Sequence, residues 1–438
     1  MLAARGERVV GCDSGRPEGA EGLAAAGVEV SLDVDGTALL DDVRTVVKSP
    51  GVPQEAPVLI AARERGIEVT GELELAWRSI PNPFIAVTGT NGKTTTTELV
   101  GQIHRTAGEP VAVAGNVGTP LASLAGEVEP GATIVCEASS FQLEDSSSFA
   151  PECAVLLDLA PDHLDRHGTM ESYLRAKLRI FANQANEDVA IYNCEIFNGG
   201  HKNRRRIDHD RDLGGCARRV RFCPSERPEG AADPDCELSL RGGVIFAGEE
   251  PLMRAEELKL LGAHNIGNAM AAAAAALAAD IDRETVAEGL RSFEALPHRL
   301  EPVRELGGVL YVNDSKATNV ASAFAGIEAF ERGIHLILGG SLKGETFERL
   351  VEPVTERCLA CYLIGEAAER LAEDLAAAMI KGVALHDSGT LERAVEAASG
   401  AANPGEVVLL SPACASFDAY ADFEERGERF RRLVERLE

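Results

Sequence analysis

The chain is short of aromatic residues, with one tryptophan and 5% Phe, Trp and Tyr together, and shorter still of lysine. Eight of its 43 basic residues are lysines, set against 70 acidic residues for a net charge of −27. So acidic a surface repels polyanions and excludes a nucleic-acid binder, while leaving room for a small anionic substrate in a local basic pocket. No stretch approaches the ~18 uninterrupted apolar residues of a membrane span. The opening MLAARGERVVGCDS lacks the apolar centre of a secretion signal. The ten cysteines follow no regular spacing, so reduced thiols in a cytoplasmic protein are expected in place of a disulfide framework. Cys358 and Cys361 form a lone CxxC inside the apolar run CLACYLIGE, which reads as core strand and not as a metal site.

The scarcity of lysine is itself informative. Arginine serves wherever a generic cation suffices, so the remaining lysines are expected where a compact ammonium or a reactive amine is required. They are Lys48, Lys93, Lys177, Lys202, Lys259, Lys316, Lys343 and Lys381.

A chain of 438 residues with 45% hydrophobic and 26% charged content fits a globular protein of several domains. Strand-length apolar runs include Glu7–Gly11, Thr45–Val47, Phe84–Val87, Thr133–Cys136, Ala154–Leu157, Val309–Val312, His335–Leu338, Tyr362–Ile364 and Val407–Leu410. They alternate with amphipathic or alanine-rich helical stretches, which predicts an α/β protein of parallel sheets covered by helices. Ser-Ile-Pro-Asn-Pro (79–83) and Leu296-Pro-His-Arg299 read as linkers, giving domains over 1–80, 81–296 and 297–438. Asn198–Arg221, rich in Arg, His and Asp, reads as a solvated loop with no assigned role.

Ligands of open α/β sheets sit beyond the carboxyl ends of the strands, so the residues that follow each strand are the ones to search. After Phe84–Val87 comes Thr88-Gly-Thr-Asn-Gly-Lys-Thr-Thr95, then a helical stretch over Thr96–Ala107. The first glycine of the common phosphate loop is replaced by Val87. The physical requirements remain: Gly89 and Gly92 let backbone amides face phosphates, a helix N-terminus lies behind them, Lys93 reaches the outer phosphates and Thr94 offers a hydroxyl to Mg²⁺. Thr133–Cys136 ends in Glu137, an acid placed as Mg²⁺ ligands are beside such loops. Ala154–Leu157 leads to Asp158-Leu-Ala-Pro-Asp-His163-Leu-Asp-Arg-His-Gly168, where His163 is a candidate ligand and the aspartates equally suit turns or caps.

The predicted helix Glu171–Asn183 carries Lys177 beside its apolar stripe of Leu174, Leu178 and Phe181. By spacing alone Lys177 reads as a partly buried, snorkelling lysine. His264-Asn265-Ile-Gly-Asn268 opens a helix over Ala269–Ala279; Asn265 suits either a helix cap or, with Asn268 one turn on, base or ribose recognition. Val309–Val312 runs into Asn313-Asp-Ser-Lys316-Ala-Thr-Asn319, and His335–Leu338 into Gly339-Gly-Ser-Leu-Lys343-Gly344. Val407–Leu410 leads to Ser411-Pro-Ala-Cys-Ala-Ser416-Phe-Asp418. Lys93, Lys177, Lys316 and Lys343 thus lie in or beside strand-end loops, which predicts one composite anionic site shared by two domains.

Together GTNGKTT, EASSFQLE, DHLDRHG, YLRAKLRIF, HNIGNA, LPHRLE, NDSKATN and LLSPACASFD, in this order from about Gly71 onward, resemble the Mur ligases. The resemblance implies a three-domain architecture: a Rossmann-like N-terminal domain, a central P-loop ATPase-like domain and a Rossmann-like C-terminal domain. NDSKATN and SPACAS are similar to the branch that adds D-glutamate to UDP-N-acetylmuramoyl-L-alanine for peptidoglycan, using ATP and two Mg²⁺, as a monomer. It implies that Gly89, Thr90, Asn91, Gly92, Lys93, Thr94 and Thr95 hold the ATP phosphates, and that Thr94, Glu137, His163 and Lys177 organise metal. Lys177 matches a carbamylated lysine, which reverses the reading from spacing. Asn265, Asn268, Arg299 and Asp314 face the nucleoside. Asn116, Ser139 and Gln142 lie near the UDP-linked substrate; Lys316, Thr318, Lys343, Ser416, Phe417 and Phe423 surround D-glutamate.

Asp13, Ser14, Ser49, Pro50 and Gly51 match later parts of the family's uridine site, but the first strand and its glycine-rich loop have no counterpart. That departure leaves a catalytically impaired nucleotide-binding remnant as one competing expectation. A folylpolyglutamate-synthase-like ligase that accepts L-glutamate is the other.

Overall fold

The computed structural model describes residues 1–15, 22–23, 27–196, 213–228, 236–342 and 346–437. It is an α/β structure in which four sheets follow one another along the chain. The first two are small parallel pairs: Val10–Asp13 with Glu29–Leu32, and Thr45–Lys48 with Glu68–Gly71. The strand expected over Glu7–Gly11 is displaced toward Asp13, because Ala3–Arg5 form a short 3-10 turn capped by Gly6 in the left-handed region.

The third sheet has nine strands. Third from one edge, Phe84–Thr88 lies between Thr133–Glu137 and Cys153–Leu156, all parallel. All five residues of Phe84–Thr88 are buried, so the strand reads as one apolar run and does not alternate. Two helices cover one face of this sheet: Lys93–Ala107 and the alanine-rich His264–Ala278. Ala269 and Ala271–Ala276 are buried to 3% exposure or less; side chains this small let the helix lie flush on the strands and favour the helix intrinsically. The helix Arg283–Ser292 packs as closely on Lys93–Ala107, since a Cβ on Gly289 would stand 2.8 Å from the Ile103 Cα. Beyond Val189–Asn193 the sheet continues through Arg218–Arg227 and Leu238–Arg241, then turns antiparallel through Val244–Ala247 and Glu250–Arg254. The expectation of purely parallel sheets fails at this edge, where short hairpin connections replace helical crossovers.

The fourth sheet has six strands in the order Glu301–Leu306, Val309–Asn313, Val407–Leu410, Ile334–Gly339, Cys358–Ile364 and Ala384–Gly389. Only its first strand is antiparallel. Val407–Leu410 sits between Val309–Asn313 and Ile334–Gly339, so the loops after all three open at one end of the sheet. Cys358 and Cys361 are buried in a strand, in agreement with the core reading of the CxxC.

Candidate active site

The phosphate loop is anchored from below by one carboxylate. Asp158, following the neighbouring strand, accepts hydrogen bonds from the Asn91 amide (2.8 Å) and the Asn91 side chain (3.3 Å), while its carbonyl accepts from the Thr90 amide (3.3 Å). Burial raises the Asp158 pKa, with the Asn91 amide, Lys93 and Lys177 opposing. Thr90 Oγ1 adds contacts to Ala160 and to the Tyr173 hydroxyl at 3.2 Å. Gly92 closes the loop at φ +79°, and a Cβ there would collide with Asn268 Oδ1. Glycine is therefore required both for the left-handed turn and for the approach of Asn268.

Lys93 begins the helix and donates to the carbonyls of Gly89 (3.0 Å) and Thr90 (2.8 Å). Thr94 Oγ1 donates to Glu137 Oε2 at 2.7 Å, and the other Glu137 oxygen accepts from Asn116 Nδ2 at 3.2 Å. Glu137 is 3% exposed. A buried carboxylate held by a hydroxyl and an amide presents hard oxygen ligands next to the phosphate loop.

Lys177 is 1% exposed, with Nζ donating to the Gly89 carbonyl at 2.6 Å and lying 4.5 Å from the Tyr173 ring centre. The snorkelling reading is overturned: the helix stops at Leu178, short of Asn183, and points this amine inward. Burial, reinforced by the Lys93 charge, lowers its pKa well below the usual lysine range. His163 sits in the left-handed region at φ 52°, 3.5 Å from Asp162 and with its ring tilted against that of Phe141 at 4.8 Å. Histidine, Leu300 and Ala413 are unusual occupants of that region, and His163, His298, Leu300 and Ala413 all lie in loops around this cleft.

The six-stranded sheet delivers further cations to the same loop. Lys316 Nζ donates to Thr94 Oγ1 at 3.2 Å and lies 5.4 Å from the Phe423 ring centre. Burial and then Arg299 lower its pKa to about 8. Arg299 reaches Thr95 Oγ1 at 2.5 Å, and its own pKa is lowered by burial against the pull of Glu137 and Asp314. Ser322 donates to Asn91 Oδ1 at 2.8 Å, and Asn319 to Asp162 at 3.4 Å. Asp314 accepts from Ser411 Oγ (2.7 Å) and the Leu300 amide (3.2 Å); burial raises its pKa to about 7.

Asn265 is not a cap, since the helix is preceded by Ala263; it donates to Leu261 O and accepts from Asn268 Nδ2 at 2.8 Å. Ser139 and Gln142 form a capping box with each other at the start of Ser140–Glu144. The Thr318 amide donates to Lys316 O, Ser416 is buried, and Phe417 is 73% exposed. Asp13 and Ser14 lie exposed at the end of the first small sheet, where Asp13 accepts from the Gly15 amide. Ser49 bonds Glu72 at 2.7 Å, with Pro50 and Gly51 following. Lys343 lies outside the described residues.

Sequence reading missed two buried cations. Lys48 pairs with Asp145 at 2.5 Å and ties the second small sheet to the nine-stranded one. Arg426 is 1% exposed and donates to Ser315 Oγ and to the carbonyls of Ser315, Gly339, Cys414 and Ala415. It clamps all three strand-end loops together. Lys48 carried the scarcity signal; Arg426, one arginine among many, carried none.

Comparison with known proteins places this architecture. Residues 87–276 match the Mur ligase middle domain and residues 298–414 the Mur ligase glutamate ligase domain. The chain is 42% identical to the UDP-N-acetylmuramoylalanine–D-glutamate ligase of Pelotomaculum thermopropionicum, over 99% of this chain and 93% of that one. It is 44% identical to the protein of the same name from Trichlorobacter lovleyi, over 90% and 84%. Among solved structures it is similar in fold to UDP-N-acetylmuramate-alanine ligase of Thermotoga maritima, at a TM-score of 0.60, 19% identity and 99% and 95% coverage. The MurF ligase of the same organism, solved with ADP, has a TM-score of 0.59, 18% identity and 91% and 97% coverage. The chain belongs to the Mur ligase family.

Proposed function

We propose that this Mur ligase joins D-glutamate to the lactoyl-alanine carboxylate of UDP-N-acetylmuramoyl-L-alanine, using ATP, in peptidoglycan precursor synthesis. The relatives at 42–44% identity bear the name of that reaction, and we assign residues 1–80 to the UDP-linked substrate, 81–296 to ATP and 297–438 to D-glutamate. The observation that carries the reading is the Lys316 amine, from the six-stranded sheet, on Thr94 of the phosphate loop at 3.2 Å. A kinase-like site needs no second sheet leaning over the γ-phosphate; a ligase does, because its second substrate must meet the phosphorylated acid.

The substrate carboxylate attacks the γ-phosphorus, ADP leaves, and an acyl phosphate forms. The glutamate amine attacks the acyl carbon, inorganic phosphate leaves, and the amine proton is released to solvent. Lys93, Arg299 and Lys316 bind and neutralise phosphate oxygens in both steps, from a site where low polarity strengthens each contact. Gly89–Thr95 orient the nucleotide, and the Asn265–Asn268 pair faces its nucleoside. Mg²⁺ fits the oxygen donors of Thr94 and Glu137 and, when bound, offsets phosphate charge. His163 is assigned to positioning beside that site.

Lys177 is assigned as a carbamate. Its depressed pKa favours the neutral amine that adds to CO₂, one proton being lost. The product is an anion next to Lys93, so a repulsive contact becomes an attractive one. A cytoplasmic monomer accompanies this reading.

The test is phosphate release with ATP and UDP-N-acetylmuramoyl-L-alanine plus D-glutamate, L-glutamate or nothing. Release dependent on D-glutamate is expected. Equal release in all three overturns the reading, and preference for L-glutamate moves the chain to the folate-type ligases.

A further inference from the structure

We propose a second metal site of different chemistry: Cys194, Cys223 and Cys236 bind one thiophilic ion at three neighbouring interior strands of the nine-stranded sheet. The three sulfurs lie within 4.8 Å of one another and all three residues are buried. The Cys223 sulfur touches both of the others, with Cα separations of 5.6 Å to Cys194 and 6.2 Å to Cys236. A sulfur enters only one disulfide, so any pairing strands the third thiol beside it. One soft cation satisfies all three at once.

The other buried cysteines behave differently. Cys136, Cys153, Cys358, Cys361 and Cys414 are distributed through the large apolar cores. Cys194, Cys223 and Cys236 form a cluster by themselves.

The backbone organises the cluster. Cys194 follows directly on the strand Val189–Asn193, Cys223 lies within Arg218–Arg227, and Cys236 precedes Leu238–Arg241. Phe222 is in register with both Asn193 and Leu238, so Cys223 within the middle strand meets Cys194 just past the end of one neighbour and Cys236 just before the start of the other. The acidic neighbours hold that register: Glu195 accepts from the Ser225 amide at 3.0 Å, and Glu237 from the Arg221 amide at 2.7 Å. The central strand is thereby clamped on either side of Cys223 without help from the ligand.

Three thiolates select zinc or copper(I), not the hard Mg²⁺ suited to Thr94 and Glu137. Zinc–sulfur bonds of about 2.3 Å place tetrahedral ligands roughly 3.8 Å apart, so an ion parts the two pairs of sulfurs that touch while keeping all three within the 4.8 Å span. Binding converts three thiols to thiolates and releases their protons. The ion staples chain separations of 29 and 13 residues where the sheet turns from parallel to antiparallel.

Full-length protein is purified reduced from cells supplied with zinc and copper, and its metal content is measured by elemental analysis. About one zinc or copper per chain is expected, the analysis saying which. Cobalt(II) added to chelator-treated protein should give a thiolate-to-metal charge-transfer band and release protons. Cys223→Ser should lose the metal and the band, whereas Cys216→Ser, at an exposed cysteine, should keep both. If Cys223→Ser does not fold, the cobalt titration of the unaltered chain decides. Absence of metal together with absence of the band overturns the proposal, as does a fixed disulfide with one free thiol among the three in fresh protein.

Discussion

The nine-stranded sheet meets its two neighbours through lysines used in opposite ways. On one side Lys48 is fully buried and spends its charge on Asp145, which also accepts from Gln54 at 2.6 Å. Glu74 strengthens that joint by accepting from the amides of Ser147, Ser148 and Phe149. On the other side Lys316 leans on a threonine hydroxyl, and Lys93 and Lys177 lean on backbone carbonyls. A lysine paired with a carboxylate is finished; Lys93 and Lys316, resting on neutral oxygens, keep their charge for a ligand, whereas the buried Lys177 gives its charge up to the proposed carbamate. The first joint holds the molecule together, and in the proposed reaction the second receives phosphate.

The sharpest way to break this contrast is to remove each kind of lysine in turn. Lys316→Ala should lower kcat for D-glutamate-dependent phosphate release by about 10²–10³-fold, with the thermal midpoint unchanged or raised. Lys177→Ala should fall as far, and a ¹³C carbamate signal from labelled bicarbonate should vanish with it; full activity in this variant refutes its assignment. Lys48→Ala should do the reverse. Leaving Asp145 buried and unpaired costs about 3–5 kcal/mol, visible in urea denaturation, while kcat of the folded fraction stays within about tenfold.

The alternating pattern made most strand positions readable, because buried parallel strands are uninterrupted apolar runs. The phosphate loop was legible without its first glycine, since the mechanism depends on Gly89, Gly92, Lys93 and Thr94 and not on position 87. Lysine scarcity pointed to Lys93, Lys177 and Lys316, yet it could not separate them from Lys48, whose partner Asp145 is nearly a hundred residues away. Arg426 was invisible because its burial is made by loops from Ser315, Gly339 and Cys414, which converge only in the fold. The cysteine cluster at the parallel strands beside the antiparallel edge was equally hidden: separations of 29 and 13 residues leave no local pattern.

A smaller effect sharpens the comparison through pH. The free-protein pKa of Lys316 is lowered to about 8, so kcat/KM should fall as pH rises through about 8, and Lys316→Arg, if active, should move that limb upward. Because the folded pKa lies below the ordinary lysine value of 10.5, the unfolded chain binds more protons between about 8 and 10.5. Stability attributable to Lys316 should therefore increase with pH across that window. Asp314, raised to about 7 from 3.8, works oppositely: its contribution declines as pH climbs from about 4 to 7, and Asp314→Asn should flatten that slope in denaturation curves.

That Lys93 and Lys316, resting on neutral oxygens, are reserved for phosphate and the ion-paired Lys48 is not is tested most directly by the rise in thermal midpoint on saturation with MgATP. Lys48→Ala should start from a lower midpoint and gain as much from MgATP as the unaltered protein, whereas Lys93→Ala and Lys316→Ala should gain little. Equal gains in all three variants, or a gain lost only in Lys48→Ala, would contradict the account.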